Sequence, residues 1–121
     1  IENDEKLREI YRATDLFIVP SRSESFCQVA LEAQSCGIPV LAFAVGGLVD
    51  IIKHNVTGYL VDPYDTNNFS LKIMNFINNE KYHSELKNEA RNRVKSLFSM
   101  ESVVEKYANI YKKIYNYESK K

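Results

Sequence analysis

Glu24 and Glu32 stand with seven residues between them, and the stretch they bracket is rich in small and polar side chains. Ahead of them an apolar run, Leu16 to Val19, meets Pro20 and a short polar loop that carries Glu24. Behind the loop an amphipathic stretch begins and carries Glu32. This order predicts a buried strand, a tight turn and a helix opening. In open parallel sheets, ligands settle at that junction, because the strand's carboxyl end and the helix N-terminus face one crevice. Ser25-x-x-Gln28 has the form of a capping box, with Ser25 as N-cap. The N–H groups of Phe26, Cys27 and Gln28 then lie in the first turn, where some have no intrahelical acceptor, and they offer a site for an anionic group such as a diphosphate. Glu32 falls roughly two turns deeper, on the order of 10 Å along the path at about 1.5 Å per residue. At that separation two carboxylates do not share a proton. They suit hydroxyls at two points of an elongated ligand.

Taken singly, each of these features has a plainer reading. A Ser-x-x-Gln box also marks an ordinary helix start, Glu32 can be a solvated helical acid, and Glu24 a surface loop residue. Gly46-Gly47, directly after a second apolar run, allows either a sharp turn or close approach of backbone to a ligand. His54 reads as a cap at a helix end or a surface residue, in preference to a catalytic one.

The elements that must position these residues follow in order. Asn3 to Ala13 reads as a helix with Leu7, Ile10 and Tyr11 on one side and Asp4 and Glu5 in its first turn. The first strand is Leu16 to Pro20. The central helix runs from about Phe26 to Ser35 and buries Val29, Ala30 and Ala33. Gly37 supplies a left-handed residue after the helix, with Ile38 closing a Schellman-type end. Pro39 bars continuation and leads into strand two, Val40 to Ala44. A short helix near Leu48 to Lys53 presents Val49 and Ile52, and strand three is Tyr59 to Val61. Three helices finish the chain: Asp65 caps Asn67 to Asn78 (Phe69, Ile73, Ile77 inward), the next carries Tyr82, Leu86, Ala90 and Val94, and Ser99 caps the last, whose apolar face is Val103, Tyr107, Ile110, Tyr111 and Ile114.

Composition narrows the function classes. The 121 residues are enough for one domain with a modest core, and 45% are hydrophobic, which argues for a globular fold. The formal net charge is +0 with no basic stripe, against a nucleic-acid surface. No apolar run reaches the length of a membrane span. Cys27 and Cys36 fall on one predicted helix, roughly 13 Å apart, too far to bridge. No Cys/His spacing suggests zinc, and a reducing cytoplasm fits best.

The run Pro20-Ser21-Arg22-Ser23-Glu24-Ser25-Phe26, then Leu31-Glu32-Ala33, Cys36-Gly37-Ile38-Pro39-Val40, Gly46-Gly47, Asp50-Ile51-Ile52 and Thr57-Gly58-Tyr59-Leu60-Val61, resembles the C-terminal domain of GT-B glycosyltransferases. The likeness is to the large retaining family called family four, or glycosyl transferases group one, and it spans roughly Leu7 to Val61. The resemblance implies an α/β fold, the second half of a Rossmann-like doubly wound parallel sheet: three short parallel strands with flanking helices and a helical C-terminus. Residues 1–121 are then a single partial domain, with 99–117 as its final helix. It implies that Glu24 is the catalytic-site residue on the hydroxyls of the donor sugar. Glu32 meets the nucleotide ribose, and Ser25, Phe26, Cys27, Gln28, Gly46 and Gly47 line the donor site. The sequence departs from the family pattern in having Ser25 and Cys27 where Gly is common, and Asp50 where Glu is common.

The expected function is transfer of a sugar from a nucleotide-sugar donor, with retention, to a saccharide or lipid-linked acceptor. No cofactor or metal is expected, and no nucleic acid as partner. The acceptor would be held by an N-terminal domain outside this stretch, to which any membrane contact is also left, and the fragment alone is expected to be inactive. A sugar-nucleotide epimerase of the same architecture and a non-catalytic nucleotide-sugar-binding module are the alternatives. Strands 4-5-6 of a sheet ordered 3-2-1-4-5-6 leave the first strand here without its neighbour, so its edge, residues 16–20, is expected to invite self-association.

Overall fold

The structure is a computed structural model and describes residues 3–118. Three strands, β1 (Phe17–Val19), β2 (Val40–Phe43) and β3 (Gly58–Val61), form one parallel sheet in the order β1-β2-β3. Phe17 pairs with Val40, and Val40 with Gly58, so all three strands start level. The helices are α1 (Asp4–Arg12), α2 (Gln28–Ser35), α3 (Leu48–Ile51), α4 (Thr66–Asn78), α5 (His83–Phe98) and α6 (Met100–Glu118), with a 3₁₀ turn at Glu80–Tyr82. The expected α/β architecture of three short parallel strands with flanking and C-terminal helices is what forms.

The central strand explains the layering. Val40, Leu41, Ala42 and Phe43 are all buried, as a parallel strand covered on both faces requires. Val40 and Ala42 join Tyr11, Val19, Ala30, Ala33, Leu48 and Ile51 in one core. Leu41 and Phe43 join Val61 and Phe69 in a second core on the opposite face, under α4. Along β1, Ile18 points to that second face but is 42% exposed, because none of the described elements covers it there.

The helix ends carry their own signals. The Asn3 side chain accepts from the N–H of Glu5 at 2.8 Å and caps α1, and Asp65 accepts from Asn68 at 2.9 Å and caps α4. At the end of α2, Gly37 has φ +79°, Gly37 N–H donates to Gln34 O at 2.9 Å and Ile38 N–H to Ala33 O at 3.0 Å, the expected Schellman pair. Ser99 Oγ accepts from Ser102 N–H at 3.2 Å at the start of α6. The four-residue α3 is closed from outside: Arg93 of α5 donates to Asp50 O (2.8 Å) and Ile51 O (3.1 Å).

Several expectations are corrected. Val29 is 47% exposed, since α2 turns Ala30, Ala33 and Gln34 inward and leaves Val29 on the outer side. Ile10 is exposed beside buried Tyr11, and in α4 Phe76 takes the buried place assigned to Ile77. Val49 is exposed while Ile52 is buried, so the two do not share a face. Tyr82 lies in the 3₁₀ turn and is exposed. His54 caps no helix, because α3 stops at Ile51; its Nδ1 accepts from Leu60 N–H at 2.9 Å and latches the turn into β3. Tyr107, Ile110, Tyr111 and Ile114 do line α6, but they stay exposed in this chain.

Candidate functional site

β1 ends at Val19, and the chain leaves the sheet through Pro20 into the loop that carries Arg22 and Glu24. Glu24 is half-buried, Ser25 and Phe26 are exposed, and Cys27 is buried. The helix then opens at Gln28, two residues later than the capping box predicts. Ser25 is not the N-cap. The position is held by Cys27, in the left-handed conformation (φ 62°, ψ 68°) and with no side-chain cap. Tertiary pairing overrides the local preference, because Ser25's backbone is engaged across the loop instead of at the helix start.

That engagement comes from Gly46 and Gly47, in the turn after β2. Gly47 N–H donates to Ser25 O at 3.0 Å. A Cβ on Gly47 would lie 2.5 Å from Ser25 O, and one on Gly46 would lie 1.6 Å from Glu24 O. Both glycines are there so that the second loop can seat the first. Gly46 also has φ +49°, where side chains are strained. The pair is neither a free turn nor an exposed ligand cradle alone. It is the backbone floor under Glu24.

The left-handed backbone at Cys27 gives the reason that glycine is common at this position, and the cysteine here carries the strain. Only glycine adopts this conformation without strain, and an L-residue there costs roughly 1–2 kcal/mol. Burial also pushes the Cys27 thiol up, so it stays protonated at neutral pH. Both cysteines are free. Among the described residues no acceptor takes the N–H groups of Phe26, Cys27 or Gln28, while Ala30 and Leu31 N–H both reach Cys27 O. The positive end of the α2 dipole therefore opens just after the Glu24 loop, with the Gln28 amide and the two ahead of it unpaired among the described residues. Phe26 lies edge-on to Phe98 with ring centroids 6.1 Å apart, which ties the loop to the end of α5.

Glu32 is exposed on α2, four residues past Gln28, about 6 Å along the axis, one turn deep and not two. Its Oε2 accepts from Tyr11 O–H at 3.2 Å. Sequence reasoning read Tyr11 only as part of an apolar stripe; its position one helix away gave no signal of this bond. Burial, then the Glu32 carboxylate, pushes the Tyr11 hydroxyl up to about 12. A second feature that sequence reasoning missed is a cleft of about 420 Å³ at the carboxyl end of the sheet, lined by Pro20, Arg22, Phe43, Tyr64, Phe69 and Ser70 among others. The Arg22 guanidinium sits 5.8 Å from the centre of the Tyr64 ring. Asp50 is exposed, and Arg93 engages its carbonyl. No group of three or more His, Cys, Asp or Glu able to hold a metal occurs among the described residues, and no helix there is long and apolar enough to cross a membrane.

The family model for glycosyl transferases group 1 matches residues 1–93. The N-acetyl-alpha-D-glucosaminyl L-malate synthase of Bacillus anthracis is 34% identical over 107 residues, 88% of this chain and 28% of that protein. Sucrose-phosphate synthase from Thermosynechococcus elongatus superposes with a TM-score of 0.80 at 35% identity, over 93% of this chain and 28% of that one. A mutant of S. aureus TarM, solved in complex with Fondaparinux, alpha-GlcNAc-glycerol and UDP, gives a TM-score of 0.74 at 27% identity, over 86% of this chain and 21% of that one. This chain thus spans under a third of each of these proteins. The resemblance carried by Pro20 to Val61 is borne out, and the chain belongs to the glycosyl transferases group 1 family.

Proposed function

We propose that this chain is the donor-side part of a retaining glycosyltransferase. The sugar's bond to the nucleoside diphosphate breaks, the acceptor oxygen bonds the anomeric carbon with its configuration kept, and the acceptor's proton passes to the departing nucleoside diphosphate. Glu24 holds hydroxyls of the donor sugar and is the catalytic-site residue. Glu32 takes the ribose hydroxyls. The amides of Phe26, Cys27 and Gln28, with the adjoining Ser25, Gly46 and Gly47, receive the diphosphate and stabilise its charge as it departs. Positioning and electrostatics do most of this work, with no catalytic metal and no cofactor beyond the donor.

One observation carries the reading. The Glu24 loop, seated on Gly47 by the bond to Ser25 O, leads directly into a helix N-terminus whose first amides meet no acceptor among the described residues. The UDP held by TarM, a protein of the same fold, is the kind of ligand such an end receives. The acceptor, a saccharide or a lipid-linked saccharide, belongs to a further domain, and this chain alone does not turn over donor. The setting is cytoplasmic.

A donor screen on the full-length protein, repeated with Glu24→Ala and Glu32→Ala, tests the assignment. Each substitution is expected to lower kcat/KM for the donor at least about tenfold, equivalent to about 1.4 kcal/mol. Proton NMR of the product gives the anomeric configuration. Unchanged kinetics in both variants would refute the site, and an inverted product would refute retention.

A further inference from the structure

We propose that Tyr11 is the positioning residue for Glu32: its hydroxyl holds Oε2 of the carboxylate, so that Oε1 is presented to the donor ribose. The inference rests on the reading of Glu32 as the ribose partner, and adds to it a residue from a different helix.

The two partners differ in rigidity. Tyr11 sits in the last turn of α1, 6% exposed and part of the main core. Its ring lies against Phe17 of β1, with centroids 6.0 Å apart and planes inclined at 59°. The hydroxyl is therefore a fixed point, aligned by the sheet itself. Glu32 is an exposed side chain with several rotatable bonds, and among the described residues its carboxylate has no ion-pair partner and no other hydrogen bond. Left alone on a helix surface, such a side chain occupies several rotamers and loses that freedom on meeting a ligand. A neutral donor from the core removes much of that loss beforehand. Tyr11 suits this work because a phenol at 3.2 Å orients the carboxylate without neutralising it. A lysine or arginine in its place would compete with the ribose for both oxygens. Glu32 also lines a groove of about 190 Å³ between α1 and α2, together with Tyr11, Asp4, Leu7, Arg8 and Ser35. One oxygen tied to the α1 wall leaves the other directed away from it.

The test is calorimetric binding of UDP, ADP and GDP, each beside its 2′,3′-dideoxy form, to the full-length protein. Tyr11→Phe keeps the ring in its place and removes only the hydroxyl. For the nucleotide that binds, Tyr11→Phe is expected to raise Kd about fivefold. For the dideoxy form the increase is expected to stay below twofold. In a Glu32→Ala background, Tyr11→Phe is expected to add nothing further. Equal weakening of both nucleotide forms would make Tyr11 merely structural and overturn the proposal. So would an unchanged Kd in Tyr11→Phe beside a raised one in Glu32→Ala, which leaves the ribose reading of Glu32 standing. A Glu32→Ala protein that binds as wild type, or a wild type that binds none of the three, refutes the ribose reading itself and this proposal with it.

Discussion

The amide of Gly47 donates to the carbonyl oxygen of Ser25 at 3.0 Å, and through this bond the loop after β2 carries the loop after β1. The same approach leaves no room for side chains, since a Cβ on Gly46 would overlap the carbonyl of Glu24. Gly46→Ala must therefore push the Glu24 loop away, and must also strain a backbone with positive φ. The expected loss is about 1–3 kcal/mol of stability, as for overpacking elsewhere. Donor binding is expected to fall with it. Denaturant melts and donor titration of the variant check both. A variant with wild-type stability would show that the two loops are not seated as described.

Tyr11 predicts an alkaline signature. Its hydroxyl is raised from the usual 10 to about 12, first by burial and then by Glu32. The folded state holds this proton more tightly than the unfolded chain. The contribution to stability is thus complete below pH 10 and is lost as pH rises from about 10 through about 12. Stability measured against pH for the wild type and Tyr11→Phe should differ in slope over that window alone. In Glu32→Gln the tyrosine ¹³Cζ titration assigned to Tyr11 should move down toward 10. No movement would mean that the carboxylate has no part in the shift.

Gln34 and Thr57 form a buried polar link between α2 and the turn into β3. Gln34 Nε2 donates to Thr57 O at 3.1 Å and to its Oγ1 at 3.0 Å, and Oγ1 also accepts from Lys53 N–H at 2.9 Å. Thr57→Val removes one acceptor from two donors at a nearly solvent-free position. The expected destabilisation is about 1–3 kcal/mol, seen as a lower urea midpoint with unchanged slope. A neutral substitution would mean that water serves both donors. Gln34 Oε1 is itself buried without a partner among the described residues, so this link is already short of one bond.

Among the described residues no strand pairs with the outer edge of β1, and Ile18 of that strand is exposed. Sedimentation of this chain at rising concentration is expected to show association. Ile18→Lys, a charge on an edge strand, is expected to abolish it. A strictly monomeric wild type at high concentration would count against the edge as an interface.

Much of this architecture was legible in the order of residues, for reasons that are local. Val40 to Ala44 is apolar throughout and follows Pro39, which marks a strand. Gly37 followed by Ile38 and Pro39 can hardly do other than end a helix, and Asp65 and Ser99 cap the helices they precede. The placing of Glu24 in the loop after β1 and of Glu32 on the helix that follows was equally plain, because the chain reaches both within one supersecondary unit.

Contacts between segments distant in sequence were decided only by the tertiary structure. Ser25-x-x-Gln28 satisfies every local rule for a capping box, yet the helix starts at Gln28, because Gly47, twenty-two residues on, claims the carbonyl of Ser25. Gln34 is polar and wholly buried because Thr57 meets it from another strand's approach. Tyr11 reads as one more apolar residue until α1 is laid beside α2 and its hydroxyl finds Glu32. Helix caps, turns and burial periodicity act over a few residues, so the chain's own order sets them. Hydrogen bonds made across layers depend on how those elements pack, and no spacing in the sequence encodes that.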